Sequence, residues 1–481
     1  MAPALLHDTD DLPPASLLPA SKSVPSSSPA LSSVLHRTLD SDPLKVIRAK
    51  GNYLYLSNGQ RILDATGGAA VSCLGHGDER VKAAMMAQMD EVAYCHSLFY
   101  GTETGETLAK ELCETTGGEM VRAFFISSGS EAMEAAMKMA RQFYLEKEIK
   151  EPKRVNFIAR KESYHGTTLG SLSVGGHRAR RALFEPMLLG NVSRVSPCNA
   201  YRFKKEGESD QEYVARLKEE LEGEFQRLGP QTVCAFVAEP VVGAALGCVP
   251  SVPGYFAAMK EVCEKHGALL IMDEVMSGVG RTGTMHAWQA PEIGFAPDIQ
   301  TLGKGLGGGH VPVAAMLINK RVVDTLQKGT GAFSHGQTYQ GHPVACRAAL
   351  ETLRIIKEEK LVDNVHALGK YMGDLLQERV GVLPYVGNVR GKGFFWGIEF
   401  VKDKQTKEPF SPSDGVAMGV HELALLEPYS FSIYPGTGTV DGRTGDHVLL
   451  APSYRATKED VETIVSLTEK VIKEFFEKAM A

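Results

Sequence analysis

Hydrophobic residues in the middle of the chain fall in short continuous runs and not in an alternating pattern. These runs span residues 123–126, 155–159, 234–238, 269–272 and 313–318. Strands that are buried on both faces of a sheet have such runs, because both of their sides contact other protein layers. We therefore expect an α/β fold in which a mainly parallel sheet is sandwiched by helices.

The segment that begins near Glu131 has a helical pattern. Its apolar residues recur at 132, 135, 136, 139, 140 and 143, which is the spacing of one buried helix face. Earlier in the chain, Asn58-Gly59 separates two strand-like segments at 53–56 and 61–63. Both residues tolerate the left-handed conformations of a tight turn, so a β-hairpin is predicted here.

The pattern changes after about residue 345. A helix is predicted at 348–359, strands at 394–400 and a closing helix at 458–476. These elements suggest a smaller α+β domain that takes segments from both chain ends. The predicted division is a disordered Ser/Pro-rich tail at 1–33, the N-terminal part of the small domain at 34–99, a large domain at 100–345 and the C-terminal part of the small domain at 346–481.

The first thirty or so residues do not have the pattern of a targeting segment. They lack a continuous apolar stretch, acidic residues come early at Asp8, Asp10 and Asp11, and the first arginine is Arg37. A signal peptide needs the apolar stretch, and a mitochondrial presequence is rich in arginine and poor in acid. We expect a disordered tail and a cytoplasmic protein, with organelle targeting as the less favoured alternative.

Composition and charge exclude several classes of protein. The 481 residues are 43% hydrophobic and 23% charged, with a formal net charge of −6, which is typical of a globular chain without a basic surface for nucleic acid. No apolar run approaches the roughly 20 residues that cross a membrane. The eight cysteines include no CxxC pair, and HExxH is absent. We therefore predict free thiols in a reducing compartment and no metal site.

Polar residues follow several of the predicted strands, and ligands of parallel sheets bind beyond the carboxyl ends of the strands. Ser127-Ser128-Gly129-Ser130 precedes the predicted helix near Glu131, where it is either an anion site or an ordinary helix cap. Glu239 and Asp273 follow two other runs. Each is either a cap for a neighbouring loop or a site residue, and the presence of two at one edge favours a site.

Lys304 lies among glycines, and three interpretations compete. A P-loop would need glycine at position 298 and serine or threonine at position 305, where the chain has Asp298 and Gly305. Gly303, Gly305 and Gly308 match GxGxxG, but a strand pattern follows and that motif requires a helix. The third interpretation is a loop lysine whose amine attacks a carbonyl cofactor.

Several motifs together resemble one family, the class III (omega-type) aminotransferases, which are pyridoxal-phosphate enzymes of fold type I. The most specific are LLIMDEVMSGVGRTG and, about thirty residues later, TLGKGLGGG; SSGSEA, SYHGTTLGSLSV, VAEPVVG and HGQTYQGHPVAC support them. The resemblance covers residues from about 45 to 475. It implies that the large domain binds pyridoxal phosphate and that the enzyme is a homodimer with shared active sites.

The resemblance also implies roles for individual residues. Lys304 would form the internal Schiff base with the cofactor aldehyde and later carry the proton between C4′ and the substrate α-carbon. Asp273 would pair with the pyridine nitrogen and keep it protonated, which makes the ring an electron sink. Val275 and Tyr164 would pack on the two faces of the ring.

The resemblance implies that other residues bind or support the cofactor and do not take part in the reaction itself. Ser128, Gly129 and Ser130 would hold the phosphate, and Thr338 would reach it from the second subunit. Glu239 would lie near the 3′ oxygen of the cofactor or near a mobile arginine. His165 joins this group as a supporting or structural residue.

The substrate pocket is less well defined by the sequence. Arg443 lies in a segment similar to one that carries a mobile, carboxylate-binding arginine, although its position differs by one residue; the alternative is a surface arginine. Arg178, Arg180 and Arg181 are further candidates, but such a cluster is expected to be mostly solvated. Phe99 and Tyr100 either line the donor pocket or pack in the core.

The implied reaction is ping-pong transfer of an amino group from an amine or an omega- or beta-amino acid to pyruvate or another 2-oxo acid. An aminomutase or a decarboxylase could use the same Lys304 and Asp273. A catalytically silent partner subunit is a further alternative, and the presence of both residues counts against it.

Overall fold

The computed structural model describes residues 32–480. The chain separates into two compact units, 1–45 and 46–481. The described part of the first unit, 32–45, contains no helix or strand. The first 31 residues of the tail predicted at 1–33 lie outside the described residues. The boundaries predicted near residues 99 and 345 stay predictions.

The strands of the second unit occur along most of its length. They are β1 (Val46–Lys50), β2 (Tyr53–Leu56), β3 (Arg61–Asp64), β4 (Met120–Ile126), β5 (Asn156–Arg160), β6 (Val192–Val195), β7 (Val233–Ala238), β8 (Val241–Val242), β9 (Val249–Pro250), β10 (Leu269–Asp273), β11 (Ile299–Leu302), β12 (Ala314–Asn319), β13 (Val386–Lys392), β14 (Phe395–Phe400), β15 (Phe431–Ser432), β16 (Tyr434–Thr437) and β17 (Asp446–Leu450).

Helices alternate with these strands through the middle of the chain. They are α1 (Gly67–Ala70), α2 (Glu79–Glu91), α3 (Glu103–Glu114), α4 (Gly129–Glu146), α5 (Leu169–Val174), α6 (Arg178–Arg181), α7 (Ala200–Phe203), α8 (Asp210–Leu228), α9 (Tyr255–Lys265), α10 (Lys320–Lys328), α11 (Pro343–Glu358), α12 (Leu361–Arg379), α13 (Val416–Leu425) and α14 (Lys458–Ala479). The predicted helices near 131, 348 and 458 correspond to α4, α11 and α14.

The largest sheet has seven strands in the order β4-β12-β11-β10-β7-β5-β6. The pairs β11–β10, β10–β7, β7–β5 and β5–β6 are parallel. Only β12 runs against its two neighbours in this sheet. The expectation of a mainly parallel sheet is therefore confirmed, and the carboxyl ends of its other six strands meet at one edge.

Both faces of the large sheet are covered by helices. Successive residues of β7 and β10 belong to different packing clusters: Phe236 and Leu270 pack with α8 and α9, whereas Val237 and Ile271 pack with α4 and α10. This division explains the continuous apolar runs, because a strand between two helical layers has no face that requires polar residues.

Two strands of the large sheet have no clear sequence signal. β6 and β11 are four residues long, and β11 contains Gln300 and Thr301, both fully buried. Their side chains form hydrogen bonds inside the protein, with His286 and Asp273 respectively. A polar residue in a strand can be completely buried when it has such partners. The strand then lacks a continuous apolar run, and the sequence does not reveal it.

The smaller sheets use segments from both ends of the chain. The hairpin of β2 and β3 forms at Asn58-Gly59, where Gly59 has a φ of 89°. β15, from the C-terminal part, pairs in parallel with β3. A further four-stranded sheet has the order β13-β14-β17-β16. The expected smaller region built from both chain ends is therefore present.

Within residues 32–480, the helices are all too short or too polar to cross a lipid bilayer. No cluster of three or more His, Cys, Asp or Glu suited to a metal ion occurs in the same part of the chain.

We expect the central strand β10 to contribute strongly to stability. Leu269 is fully buried in β10, so Leu269→Ala should lower the free energy of unfolding by about 2–5 kcal/mol through lost burial and a residual cavity. Denaturant titration measures the change. The matched control is Leu189→Ala, because Leu189 is 46% exposed and its truncation should cost no more than about 0.5 kcal/mol. Equal effects of the two substitutions would contradict the packing of β10.

Candidate active site

A cavity of about 240 Å³ lies beyond the carboxyl ends of the large sheet. Residues that follow β4, β5, β7, β10 and β11 line it, together with the segment before the reversed strand β12. Nine of the predicted site residues are among the lining residues: Ser128, Gly129, Ser130, Tyr164, His165, Glu239, Asp273, Val275 and Lys304. The topology thus brings together positions that are up to 176 residues apart in sequence, as from Ser128 to Lys304.

Asp273, the last residue of β10, is held by three donors. The backbone N–H of Val275 and the hydroxyl of Thr301 donate to its Oδ1 at 3.0 and 3.1 Å. Nδ1 of His165 lies 2.7 Å from Oδ2, and because a carboxylate oxygen only accepts, this nitrogen carries the hydrogen. The three contacts fix the direction of the carboxylate.

The two acids at the end of β10 have different environments. Glu274 does not line the cavity; its carboxyl group accepts hydrogen bonds from the backbone N–H groups of Ala287 and Trp288 at 2.6 and 3.0 Å. Burial raises the pKa of Glu274 to about 8, so that this side chain is mostly neutral at pH 7. Asp273 is therefore the acid of this pair that is available to a ligand.

Glu239 supports the wall of the cavity. Its two carboxyl oxygens accept hydrogen bonds from the backbone N–H groups of Tyr164 and Gly243, at 3.1 and 3.0 Å. Burial raises the pKa of this carboxyl. Glu239 thus fixes the loop that carries Tyr164 and also faces the ligand space.

Lys304 is separated from the end of β11 by one residue, Gly303. It begins a short helical turn that ends at Gly307. Its φ of 45° lies in the left-handed region, which is uncommon for a residue with a side chain. Burial lowers the pKa of the Lys304 amine, whereas the negative charges of Asp273 and Glu239 oppose that change. A lowered pKa makes the neutral amine, the form that can act as a nucleophile, easier to reach.

The N-terminus of α4 forms the opposite end of the cavity. Ser128 is the N-cap and its Oγ accepts a hydrogen bond from Glu131 N–H at 3.3 Å. Ser130 Oγ accepts another from Thr167 N–H at 3.0 Å. A Cβ at Gly129 would lie 2.7 Å from Cγ1 of Val275, so only glycine permits this approach. The first N–H groups of α4 and its dipole favour an anion here.

Four of the predicted site residues do not line this cavity. Thr338 and Arg443 are exposed, and Phe99 and Tyr100 are 72% and 66% exposed. The alternative of core packing for Phe99 and Tyr100 is therefore wrong for this single chain. The Arg443 backbone N–H donates to Asp441 Oδ1 at 2.9 Å in the loop between β16 and β17.

The arginine cluster of α6 also differs from expectation. Arg181 is buried, and its Nη1 donates to the backbone carbonyls of Leu172, Ser173 and Gly175 at 2.8–2.9 Å. The expectation of a mostly solvated cluster is wrong for this residue, because unpaired carbonyls at the end of α5 supply its partners.

Most of the chain matches one known family. The model of the aminotransferase class-III family matches residues 36–472, which include all the residues that line the cavity. The chain belongs to the class-III aminotransferases.

Named relatives and solved structures agree with this membership. An aminotransferase of Gibberella zeae is 56% identical over 439 residues, which cover 91% of this chain and 85% of the relative. The gamma aminobutyrate transaminase 3 of Solanum lycopersicum is 34% identical and covers 90% of this chain and 81% of its own. An amine transaminase from an uncultivated Pseudomonas species was solved with pyridoxal phosphate bound. Its structure has a TM-score of 0.84 at 33% identity, and the match covers 94% of this chain and 99% of the transaminase chain.

These findings confirm the α/β fold of fold type I, transamination as the reaction and pyridoxal phosphate as the cofactor. The chemistry of the cavity fits this cofactor. It combines an anion-binding helix end at Gly129, an oriented carboxylate at Asp273 and an amine at Lys304. Glycine at position 129 lets the start of α4 approach Val275 closely, since a Cβ there would lie 2.7 Å from Cγ1 of Val275.

Sequence reasoning missed several residues that line the cavity or support one of its lining residues. Thr301, which donates to Asp273, lies in the unpredicted strand β11. Val71, Ala244 and Met276 form an apolar part of the wall. Apolar residues of this kind have no distinguishing signal in a sequence, because most residues like them are in the core.

Asp273→Asn should retain the fold and lower turnover about a hundred- to a thousandfold, because an amide cannot balance a developing positive charge at the position that Asp273 faces. Steady-state kinetics with the purified enzyme measure the loss. Asp374→Asn is the matched control, since it makes the same substitution at an exposed residue of α12 that lies outside the cavity. Full activity of Asp273→Asn would show that another acid serves the cofactor.

Proposed function

We propose that this aminotransferase moves an amino group from an amine or an omega- or beta-amino acid to pyruvate or another 2-oxo acid by a ping-pong mechanism. The observation that carries the proposal is that Lys304, Asp273 and the N-terminus of α4 meet in one cavity. Pyridoxal phosphate, when bound, supplies the ring that stabilises the charge left by the lost proton.

Each residue at the cavity has a task that its environment supports. Lys304 Nζ, with its lowered pKa, is suited to attack a carbonyl and afterwards to accept and return a proton. Asp273, held in place by His165 and Thr301, would keep a proton at the pyridine nitrogen. Ser128, Gly129 and Ser130 would bind the phosphate, and Tyr164 and Val275 would contact the ring.

The donor class follows from the wall of the cavity and from the relatives. Val71, Ala244 and Met276 present apolar groups, which suit the methylene chain or apolar substituent of an amine donor. The tomato relative is named for gamma-aminobutyrate, and the Pseudomonas neighbour is named as an amine transaminase. Both names describe donors whose amino group need not be next to a carboxylate.

A homodimer with shared active sites is part of the proposal. Tyr94, Leu98, Phe99, Tyr100 and Tyr339 are all exposed and apolar, and a patch of this kind indicates an interaction surface. The Tyr94 hydroxyl donates to the carbonyl of Thr338 at 3.0 Å, so this patch includes the threonine predicted to reach a phosphate in the second subunit. In the dimer, Phe99 and Tyr100 would line the donor pocket of the neighbouring site.

A cytoplasmic location also belongs to the proposal. All eight cysteines are free thiols, and six of them are buried, as expected for a protein in a reducing compartment.

Lys304→Ala should abolish multiple-turnover transamination, because the cavity then lacks the group that attacks the cofactor and transfers the proton. Borohydride reduction followed by peptide mass analysis provides a second measurement: in the unmodified protein the mass of the cofactor should stay on the peptide that contains Lys304. Lys320→Ala, at an exposed lysine on α10, serves as the control. Normal turnover by Lys304→Ala would contradict the assignment.

Thr338→Ala should weaken cofactor retention, and the effect should depend on the dimer. Dialysis against phosphate buffer, followed by absorbance of the remaining cofactor, measures retention, and analytical ultracentrifugation measures the oligomer. Thr406→Ala, on an exposed loop, is the control. If the unmodified protein retained its cofactor equally well as a monomer, the contact across the interface would be wrong.

A further inference from the structure

The short helix α6 (Arg178–Arg181) carries three arginines in three different environments. Arg181 is held by the backbone carbonyls at the end of α5 and by Glu185 at 2.8 Å. Arg178 is exposed, and its charge acts on the nearby carboxylates of Glu162 and Asp441. These contacts account for two of the three positive charges.

Arg180 has a different setting. Its guanidinium carbon lies 4.8 Å from the centre of the Tyr164 ring, and Tyr164 lines the cavity. The side chain is partly buried, and it forms no ion pair with a carboxylate within residues 32–480. Its positive charge acts on the Lys304 amine. Arg180 is thus a cation beside the cavity whose charge is left without a carboxylate partner.

The position of Arg180 is fixed by its neighbour in sequence. Arg181 is buried and donates to three carbonyls, and Ala179 N–H donates to the carbonyl of Gly442 at 3.2 Å. The backbone of α6 is therefore held on both sides of Arg180. A cation on a fixed backbone is suited to a ligand that arrives and leaves.

We propose that Arg180 binds the substrate carboxylate, a role that the sequence assigns to Arg443. The inference rests on the proposed function, because it concerns the 2-oxo acid and amino-acid substrates of that reaction. A guanidinium can form two parallel hydrogen bonds to a carboxylate, and that of Arg180 lies beside the ring of Tyr164, which lines the cavity. An uncharged amine offers no group to this arginine.

The charges of the cavity show why such a cation is needed. Asp273 and Glu239 are acidic groups on its wall, and Lys304 must be neutral at the moment when it reacts. A substrate carboxylate would therefore enter a site without a permanent positive charge on its lining residues. Arginine stays protonated in proteins, so Arg180 supplies that charge without interfering with the reactive amine.

The structural observations support Arg443 less well than Arg180 as the residue that binds the substrate carboxylate. It is exposed, and it lies in the loop whose Gly442 carbonyl contacts Ala179 of α6. This loop packs against the backbone of α6, so Arg443 and Arg180 belong to adjacent segments of the same region. A test must therefore separate the two residues by substitution.

The experiment compares Arg180→Gln with Arg443→Gln and Arg178→Gln in the holoenzyme. The acceptor is pyruvate, and the donors are 4-aminobutyrate and n-butylamine, which share a four-carbon chain but differ in the carboxylate. Arg180→Gln should raise KM for pyruvate and for 4-aminobutyrate about ten- to a hundredfold, because a charge-assisted bidentate pair is lost. The rate of the n-butylamine half-reaction should stay within about twofold of the unmodified enzyme. Arg180→Lys should recover part of the affinity, since it keeps the charge but not the planar fork.

A binding measurement separates this inference from the proposed reaction. Calorimetric titration of the holoenzyme with butyrate, which cannot react, should show the same loss of affinity in Arg180→Gln and no change in Arg178→Gln. Circular dichroism and cofactor absorbance confirm that each variant folds and retains its cofactor. If the unmodified enzyme binds butyrate through Arg180 but transfers no amino group to pyruvate, the proposed function fails and the inference holds.

Two results would overturn the inference. The first is a loss of butyrate and pyruvate affinity in Arg443→Gln with none in Arg180→Gln, which would assign the carboxylate to Arg443. The second is an equal loss for butyrate and for n-butylamine in Arg180→Gln, which would mean that Arg180 only supports Tyr164.

Discussion

The active site depends on the way in which the large sheet orders its strands. Because β4, β5, β7, β10 and β11 all point in one direction, each strand delivers the residues that follow it to the same edge. Asp273 is at the centre of this arrangement. It ends β10, and its carboxylate contacts Thr301 on the neighbouring strand and His165 on the loop after β5. The carboxylate of Asp273 is therefore held in one orientation only when three separate segments of the chain are in place.

The same edge also produces the electrostatic character of the cavity. Two acids and one lysine lie on the wall of the cavity, and burial acts against the charged forms of Glu239 and Lys304. For Glu239 burial raises the pKa, and for Lys304 burial lowers it despite the attraction of both acids. Desolvation is therefore stronger than the ion-pair interaction for Lys304. The pKa of the Lys304 amine is therefore below its ordinary value, which favours its action as a nucleophile.

Close packing limits which residues the site accepts. Gly129 is required because Val275 occupies the space of a side chain, and Val275 is in turn the residue whose N–H holds Asp273. The N-terminus of α4, the cavity wall at Val275 and the carboxylate of Asp273 are thus linked by direct contacts. A change at one of them is transmitted to the others through direct contact and not through a long path.

The sequence by itself determined the α/β class, the five long strands of the large sheet and nine of the residues that line the cavity. It did so because strands buried on both faces leave continuous apolar runs, and because Lys304 and Asp273 lie in motifs that few families combine. It did not reveal β11, whose Gln300 and Thr301 are polar, since the partners that allow their burial come from distant segments. It also did not show which of Arg178, Arg180 and Arg181 is buried, exposed or close to the cavity, because the three are near each other in sequence and chemically identical. Only the tertiary structure decided their different surroundings, because the fold brings the carbonyls of α5, the acids of two loops and the ring of Tyr164 to them.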